Sequence, residues 1–152
     1  MKKTLGKLLF CFCFLIFSAC SEKKSSVDVD VLVVGGGASG VAAGIQSARL
    51  GVNTLIIEET PWLGGMLTSA GVSAVDGNYR LPAGIWGEFQ SKLADYYGGL
   101  DSLKTGWVSN VLFEPSVGNR ILCQMAEAEK NLSIYFNTKW EKVEKKDDVW
   151  YV

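Results

Sequence analysis

The residues best suited to chemistry in this chain are a run of glycines and one acid. Gly35-Gly36-Gly37-Ala38-Ser39-Gly40 has the spacing G-x-G-x-x-G, and Glu58 follows close to the distance at which a ribose-binding acid stands in dinucleotide sites. Gly35 permits a tight turn, Gly37 removes the Cβ that would hold the backbone off a phosphate, and Gly40 lets a helix approach a strand closely. A helix opening at Ala38 and Ser39 directs unpaired N–H groups and a partial positive charge at the pyrophosphate. Glu58 would accept hydrogen bonds from ribose hydroxyls, whereas Glu59, one residue on, faces the other side of a strand. The constellation is one for a dinucleotide.

Composition removes other chemistries. The chain has no histidine, which excludes His-based triads. Of four cysteines, Cys11, Cys13 and Cys20 lie at the amino end, so Cys123 is the one thiol left for a folded domain. Zinc sites and an internal disulfide are therefore not expected, and Cys123, placed on the polar face of its helix, is expected to be a bystander. No catalytic residue can be named; the chemistry must come from a cofactor or from residues elsewhere.

The elements that must position the motif are legible around it. Asp28 to Val34 is a β-branched run ending at the glycines, as a buried parallel strand does. Ala38 to Leu50 reads as an alanine-rich helix stopped by Gly51, and Val52 to Ile57 as a second strand ending at Glu58. Strand, helix and strand form a right-handed βαβ unit with the strands side by side in a parallel sheet. Trp62 to Gly77 reads as a long loop. A helix is expected over Ile85 to Tyr97 with Ile85, Phe89, Leu93 and Tyr96 on one stripe, and Pro115 opens another with Val117, Ile121, Met125 and Ala128 sharing a face. Leu132 to Phe136 is a third strand, and Trp140 to Val143 with Val149 to Val152 would form a hairpin around Lys-Lys-Asp-Asp. The fold class is α/β, Rossmann-like, with a parallel sheet and the start of a β-hairpin or meander.

Which dinucleotide is bound depends on the residues after the acid. The stretch from Val31 to Gly71, with LVVGGGASGVAAGIQSARLGVNTLIIEETPWLGGMLTSAG after its first valine, resembles the start of FAD-dependent oxidoreductases of the glutathione-reductase-like type. The resemblance implies FAD as cofactor, with Gly64-Gly65 bending the chain over its phosphates and Thr68 and Ser69 as the hydroxyl-bearing residues after the pair. Trp62 and Met66 lie near the pair and are read as packing residues. Gly84-Ile85 and Phe113-Glu114-Pro115 resemble a subgroup of these proteins exported as bacterial lipoproteins.

The amino end fits that subgroup. Met1 to Lys7 carries three lysines and no acid, and Leu8 to Phe17 is an unbroken apolar run, the layout of a signal peptide. A ten-residue run spans about 15 Å as a helix, roughly half a bilayer's hydrocarbon core, so a transmembrane anchor is the weaker reading. Phe17-Ser18-Ala19-Cys20 resembles a lipobox, with Phe17 departing from the usual leucine; the alternative is ordinary signal-peptidase cleavage. The expected layout is a lipoprotein signal peptide over 1–19, a lipid-anchored tether over 20–27 with Cys20 acylated, and the amino-terminal part of an FAD-binding domain over 28–152. The expected location is the bacterial cell envelope, bound to membrane through the lipid alone.

Loss of the leader's three lysines would leave twelve basic residues against sixteen acidic ones, a net charge of about minus four, which disfavours nucleic acid as a partner. In the resembling family the chain continues through a further FAD-contacting strand and a substrate domain, so this chain reads as truncated, its missing partner the carboxyl-terminal region. The leading reading is the FAD-binding portion of an oxidoreductase acting on a small molecule. The competing readings are a lipid-anchored nucleotide-binding or interaction module without turnover, and an NAD-binding dehydrogenase domain, which Gly64-Gly65 disfavours.

Overall fold

The computed structural model describes residues 26–77, 79–81, 83–107 and 109–152. The expected signal peptide, Cys20 and the tether as far as residue 25 lie outside the described residues. β1 (Val31–Val34), α1 (Ala38–Arg49) and β2 (Thr54–Ile57) form the βαβ unit at the expected place. Short runs of valine, isoleucine and leucine suit strands covered by other elements. β5 (Leu132–Tyr135) pairs with the other side of β2, giving a three-stranded parallel sheet of order β1-β2-β5. Val31 lies opposite Thr54, and Thr54 opposite Leu132. Every residue of the central strand β2 is buried.

α1 lays Val41, Ile45 and Ala48 onto this sheet. The approach is close because Gly44 has no side chain; a Cβ there would stand 2.6 Å from Ile56 Cδ1. The helix ends at Arg49, and Gly51 takes the left-handed conformation that its stop requires, φ 86°.

Two further helices complete the core. α2 (Gly84–Tyr97) and α3 (Pro115–Glu127) pack against one another, and α3 also packs on α1 and β5. Between them lie Ile45, Leu63, Phe89, Leu93, Leu103, Val117, Ile121 and Met125, all buried. Phe89 and Phe113 meet edge to face with ring centroids 5.4 Å apart. The Arg49 guanidinium joins the helices at one end, donating to both carboxylate oxygens of Glu88 (2.6 and 2.8 Å) and to Glu129 (2.7 Å).

Four local expectations are revised. On α2 it is Tyr97 that packs against the core, its hydroxyl accepting the Glu114 N–H at 2.9 Å, while Tyr96 is exposed beneath the Arg120 guanidinium. On α3 the buried stripe ends at Ala126, and Ala128 is exposed beyond the helix. The loop after Trp62 contains a 3-10 turn (Gly65–Leu67) and β3 (Ala74–Val75), which pairs antiparallel with β4 (Val111–Leu112). Two-residue strands are too short to leave an alternating pattern. The hairpin exists, but its first arm is β6 (Glu144–Lys146), paired with β7 (Val149–Tyr151). Asp147 turns the chain at φ 54°, a conformation Asp tolerates better than most residues, so the lysines belong to the strand. No helix among the described residues is long and apolar enough to cross a membrane.

Candidate functional site

The glycine turn, the first turn of α1, Glu58 and the Gly64-Gly65 pair meet at the carboxyl ends of β1 and β2. Gly35 leaves β1 at φ 97°, a region in which an L side chain is strained. Its N–H still bonds Ile57 O at 2.9 Å, so the turn starts without leaving the sheet. Gly40 sits so near this turn that a Cβ would fall 1.9 Å from Gly35 O. Gly37 is the opposite case: a Cβ there meets nothing within 4 Å and projects into open space. It is also the N-cap of α1, and no side chain caps that helix. Ala38 and Ser39 follow, both exposed. The first N–H groups of a helix have no partner within it and carry partial positive charge.

The second glycine pair closes onto the first. Gly64 takes φ 107° and donates its N–H to Gly36 O at 2.8 Å, with Gly37 and Gly64 paired as a parallel bridge. A Cβ on Gly65, which takes φ 53°, would stand 3.0 Å from Gly37 Cα, so a side chain there would crowd the contact. Thr68 is buried under this turn, and its hydroxyl donates to Leu63 O at 2.5 Å. Ser69 is exposed and donates to Gly65 O at 3.2 Å. Met66, beside the pair, is exposed as well. Asn119 on α3 accepts the Leu63 N–H at 2.9 Å and so holds the pair from below.

Glu58 is buried at the end of β2 with its carboxylate inside the turn. Oε2 accepts the Gly36 N–H at 2.6 Å; Oε1 accepts the Thr60 N–H at 2.8 Å and the Thr60 hydroxyl at 2.7 Å. Burial pushes this carboxyl up, but the bonds from Thr60 and Gly36 outweigh it and hold the group below the usual carboxylate range. A carboxylate has about four acceptor positions, so three donors leave one, on Oε2. Glu59 is exposed.

Beside Glu58 a cleft of about 340 Å³ opens, lined by Val34, Gly35, Ile57, Glu58, Glu59 and Thr60 together with Thr138, Lys139 and Trp140. Cys123 stands apart from it, half-buried against the core and 3.4 Å from Asn119 Oδ1, rather than on a polar face. Burial pushes its thiol up, and the Glu127 charge adds to that, which disfavours the reactive thiolate. No metal-binding cluster is formed by the described residues.

Sequence reasoning located the glycines and Glu58, which the fold brings together. It missed Thr60, Asn119 and the cleft wall. Thr60 left a local signal, since a hydroxyl two residues after an acid at a strand end can bond its carboxylate. Asn119 left none, because its partner is 56 residues away.

A family model described as FAD dependent oxidoreductase matches residues 30–152. The chain belongs to that family. It is similar to NADH:fumarate oxidoreductase of Klebsiella pneumoniae, 41% identical over 58 residues that cover 37% of this chain and 6% of that protein. It is similar also to urocanate reductase of Eggerthella lenta, 33% identical over 95 residues, or 61% of this chain and 16% of that one. The chain thus spans less than a fifth of either relative. Among solved structures, THI4 of Thermovibrio ammonificans has a TM-score of 0.49 at 18% identity, covering 100% of this chain and 53% of that one. The cofactor is FAD, and the uncapped helix start with an open Gly37 in front of it suits its pyrophosphate.

Proposed function

We propose that this chain holds the ADP half of FAD at the carboxyl ends of β1 and β2, within a flavoenzyme of the glutathione-reductase-like type that oxidises or reduces a small molecule. The observation that carries the reading is the clasp of the two glycine turns, Gly64 N–H to Gly36 O at 2.8 Å, directly in front of the uncapped start of α1. In this reading Gly35, Gly37, Ala38, Ser39 and Gly40 form the phosphate cradle, and Gly64 and Gly65 cover it. Glu58 accepts one ribose hydroxyl on its open Oε2 position; a second bond requires the Thr60 hydroxyl to rotate away. That hydroxyl has an alternative acceptor in Trp62 O, 3.0 Å distant, and its single proton serves only one at a time. Thr68 and Ser69 brace the covering turn through Leu63 O and Gly65 O. Bound FAD supplies the redox chemistry; the chain's own residues bind and orient it.

The same proposal has the protein in the bacterial cell envelope, exported by the leader over 1–19 and anchored through acylated Cys20, with FAD loaded after export. The lysine-rich start, the ten-residue apolar run and Ser18-Ala19-Cys20 support it. The experiment is a visible absorption spectrum and an FAD titration of the purified protein. A flavin spectrum with stoichiometric uptake is expected, and colourless protein that takes up no FAD would reject the reading.

A further inference from the structure

The cleft next to Glu58 has a composition that the glycine motif does not explain. Its lining includes the apolar Val34 and Ile57 and the aromatic Trp140. The chain reaches this place for a clear reason. After β5 it bends at Asn137, in the left-handed region at φ 53°, and crosses the end of β2. There Thr138 donates its N–H to Glu58 O at 2.9 Å, and the Thr138 hydroxyl donates to Phe136 O at 3.0 Å. The wall is thereby pinned to the residue that carries the ribose-binding acid. Trp140 is nevertheless half exposed, at 51%. A large apolar ring beside a polar site, yet not packed away, has surface left for a planar partner.

The groups that line the cleft, and those that do not, set what that partner is. Glu58 and Glu59 outnumber Lys139 among the charges of the cleft and disfavour a phosphate in it, and the start of α1 that draws one, Gly37 to Ser39, is not part of the lining. The ring must therefore belong to the end of the ligand beyond the ribose. We propose that Trp140 is the wall on which the adenine of FAD stacks, so that this chain recognises the base by its face. This inference rests on the ADP half of FAD lying at the glycine turns.

The test uses the complete chain, titrated calorimetrically with FAD, ADP and FMN, together with Trp140→Ala and Trp140→Phe. Stacking of a base on an aromatic side chain predicts that Trp140→Ala weakens FAD and ADP alike by roughly 5- to 100-fold, while Trp140→Phe stays within a few-fold. FMN, which lacks the base, should not compete with ADP. ADP does not absorb in the tryptophan emission band, so it should perturb the tryptophan emission of the wild type by contact alone, and Trp140→Phe should abolish that change. If the wild type binds neither FAD nor ADP, the functional reading beneath this inference fails. If it binds both but folded Trp140→Ala binds them equally well, or Trp140→Phe keeps the full ADP-induced emission change, the stacking role alone is overturned. Should Trp140→Ala not fold, the Trp140→Phe emission result decides the matter.

Discussion

The Glu58 carboxylate accepts the Gly36 N–H at 2.6 Å and so ties the end of β2 to the middle of the turn that leaves β1. The acid therefore shapes the glycine turn, apart from its proposed ribose role.

Replacing Glu58 by Ala removes both jobs. FAD affinity should fall roughly 10- to 100-fold, and stability should fall by about 1–3 kcal/mol as the buried Gly36 N–H loses its partner. Calorimetric titration and thermal unfolding measure the two effects separately. Unchanged FAD affinity would reject the ribose role, and an unchanged melting temperature would reject the structural one.

Three glycines should separate fold from binding. Gly40→Ala places a Cβ 1.9 Å from Gly35 O and should destabilise the domain, whereas Gly37→Ala meets no atom within 4 Å and should leave the melting temperature nearly unchanged while abolishing FAD uptake. Gly77→Ala, also with open space around it, is the control that should change neither. Gly99, at φ 138°, is strained for any side chain and is a poor control. FAD binding retained by Gly37→Ala would show that no phosphate lies against that backbone.

Acid should release the cofactor. Glu58 is held below the usual carboxylate range in the folded chain, so its stabilising contribution is fully present above the unfolded-state value, about 4.3, and is lost as pH falls through the folded value. Affinity and stability should be flat from neutral pH to about 5 and decline below that. Glu58→Gln should flatten the acid limb in part, leaving the share due to Glu88, which Arg49 also holds low. An acid limb identical in wild type and Glu58→Gln would contradict the assignment.

Arg49 should matter modestly. Its three bonds to Glu88 and Glu129 join α1 to α2 and to the residue pair after α3, but the groups are partly exposed, at 33% for Arg49 and 41% for Glu88. Arg49→Met should cost about 1 kcal/mol or less, and the cost should shrink in high salt. Unfolding curves at two ionic strengths test this, and a large salt-independent loss would mean that the arginine stem's packing dominates.

The anchor is tested through Cys20→Ser. Acyl chains contribute about 0.8 kcal/mol per buried methylene, so the acylated wild type should pellet with membranes and incorporate a palmitate analogue. The serine variant should do neither as a mature species. Label on that variant, or freely soluble wild type, would remove the lipoprotein proposal.

The β1-α1-β2 unit is legible in the sequence because its glycines, apolar runs and acid are local and each has one conformational use. The helices are legible from period, but which of Tyr96 and Tyr97 turns inward is not, since the choice depends on the Glu114 N–H, which the Tyr97 hydroxyl reaches from a distant segment. Trp140 reads as a strand residue because it and Val143 are the apolar residues just before the charged Lys-Lys-Asp-Asp stretch. The pairing is instead fixed downstream, where Asp147 and Asp148 form the turn and set Lys146 against Val149. The cleft beside Glu58 is invisible in the sequence for a related reason: its lining includes Val34 and Trp140, which only the tertiary fold brings to one place.

The place of β5 in the sheet has a kinetic consequence. β2 meets β1 through a short crossover, but its other neighbour, β5, lies beyond α2 and α3 in the chain, with Thr54 opposite Leu132. Contacts between segments so distant in sequence form late, because a long loop must close before they are rewarded. Thr138 cannot bond Glu58 O until β5 has docked, so the Trp140 wall is the last part of the cleft to assemble. Refolding followed by an ADP-sensitive signal should therefore lag behind refolding followed by helix content, and the time between the two is when the half-built sheet is most open to pairing with another copy.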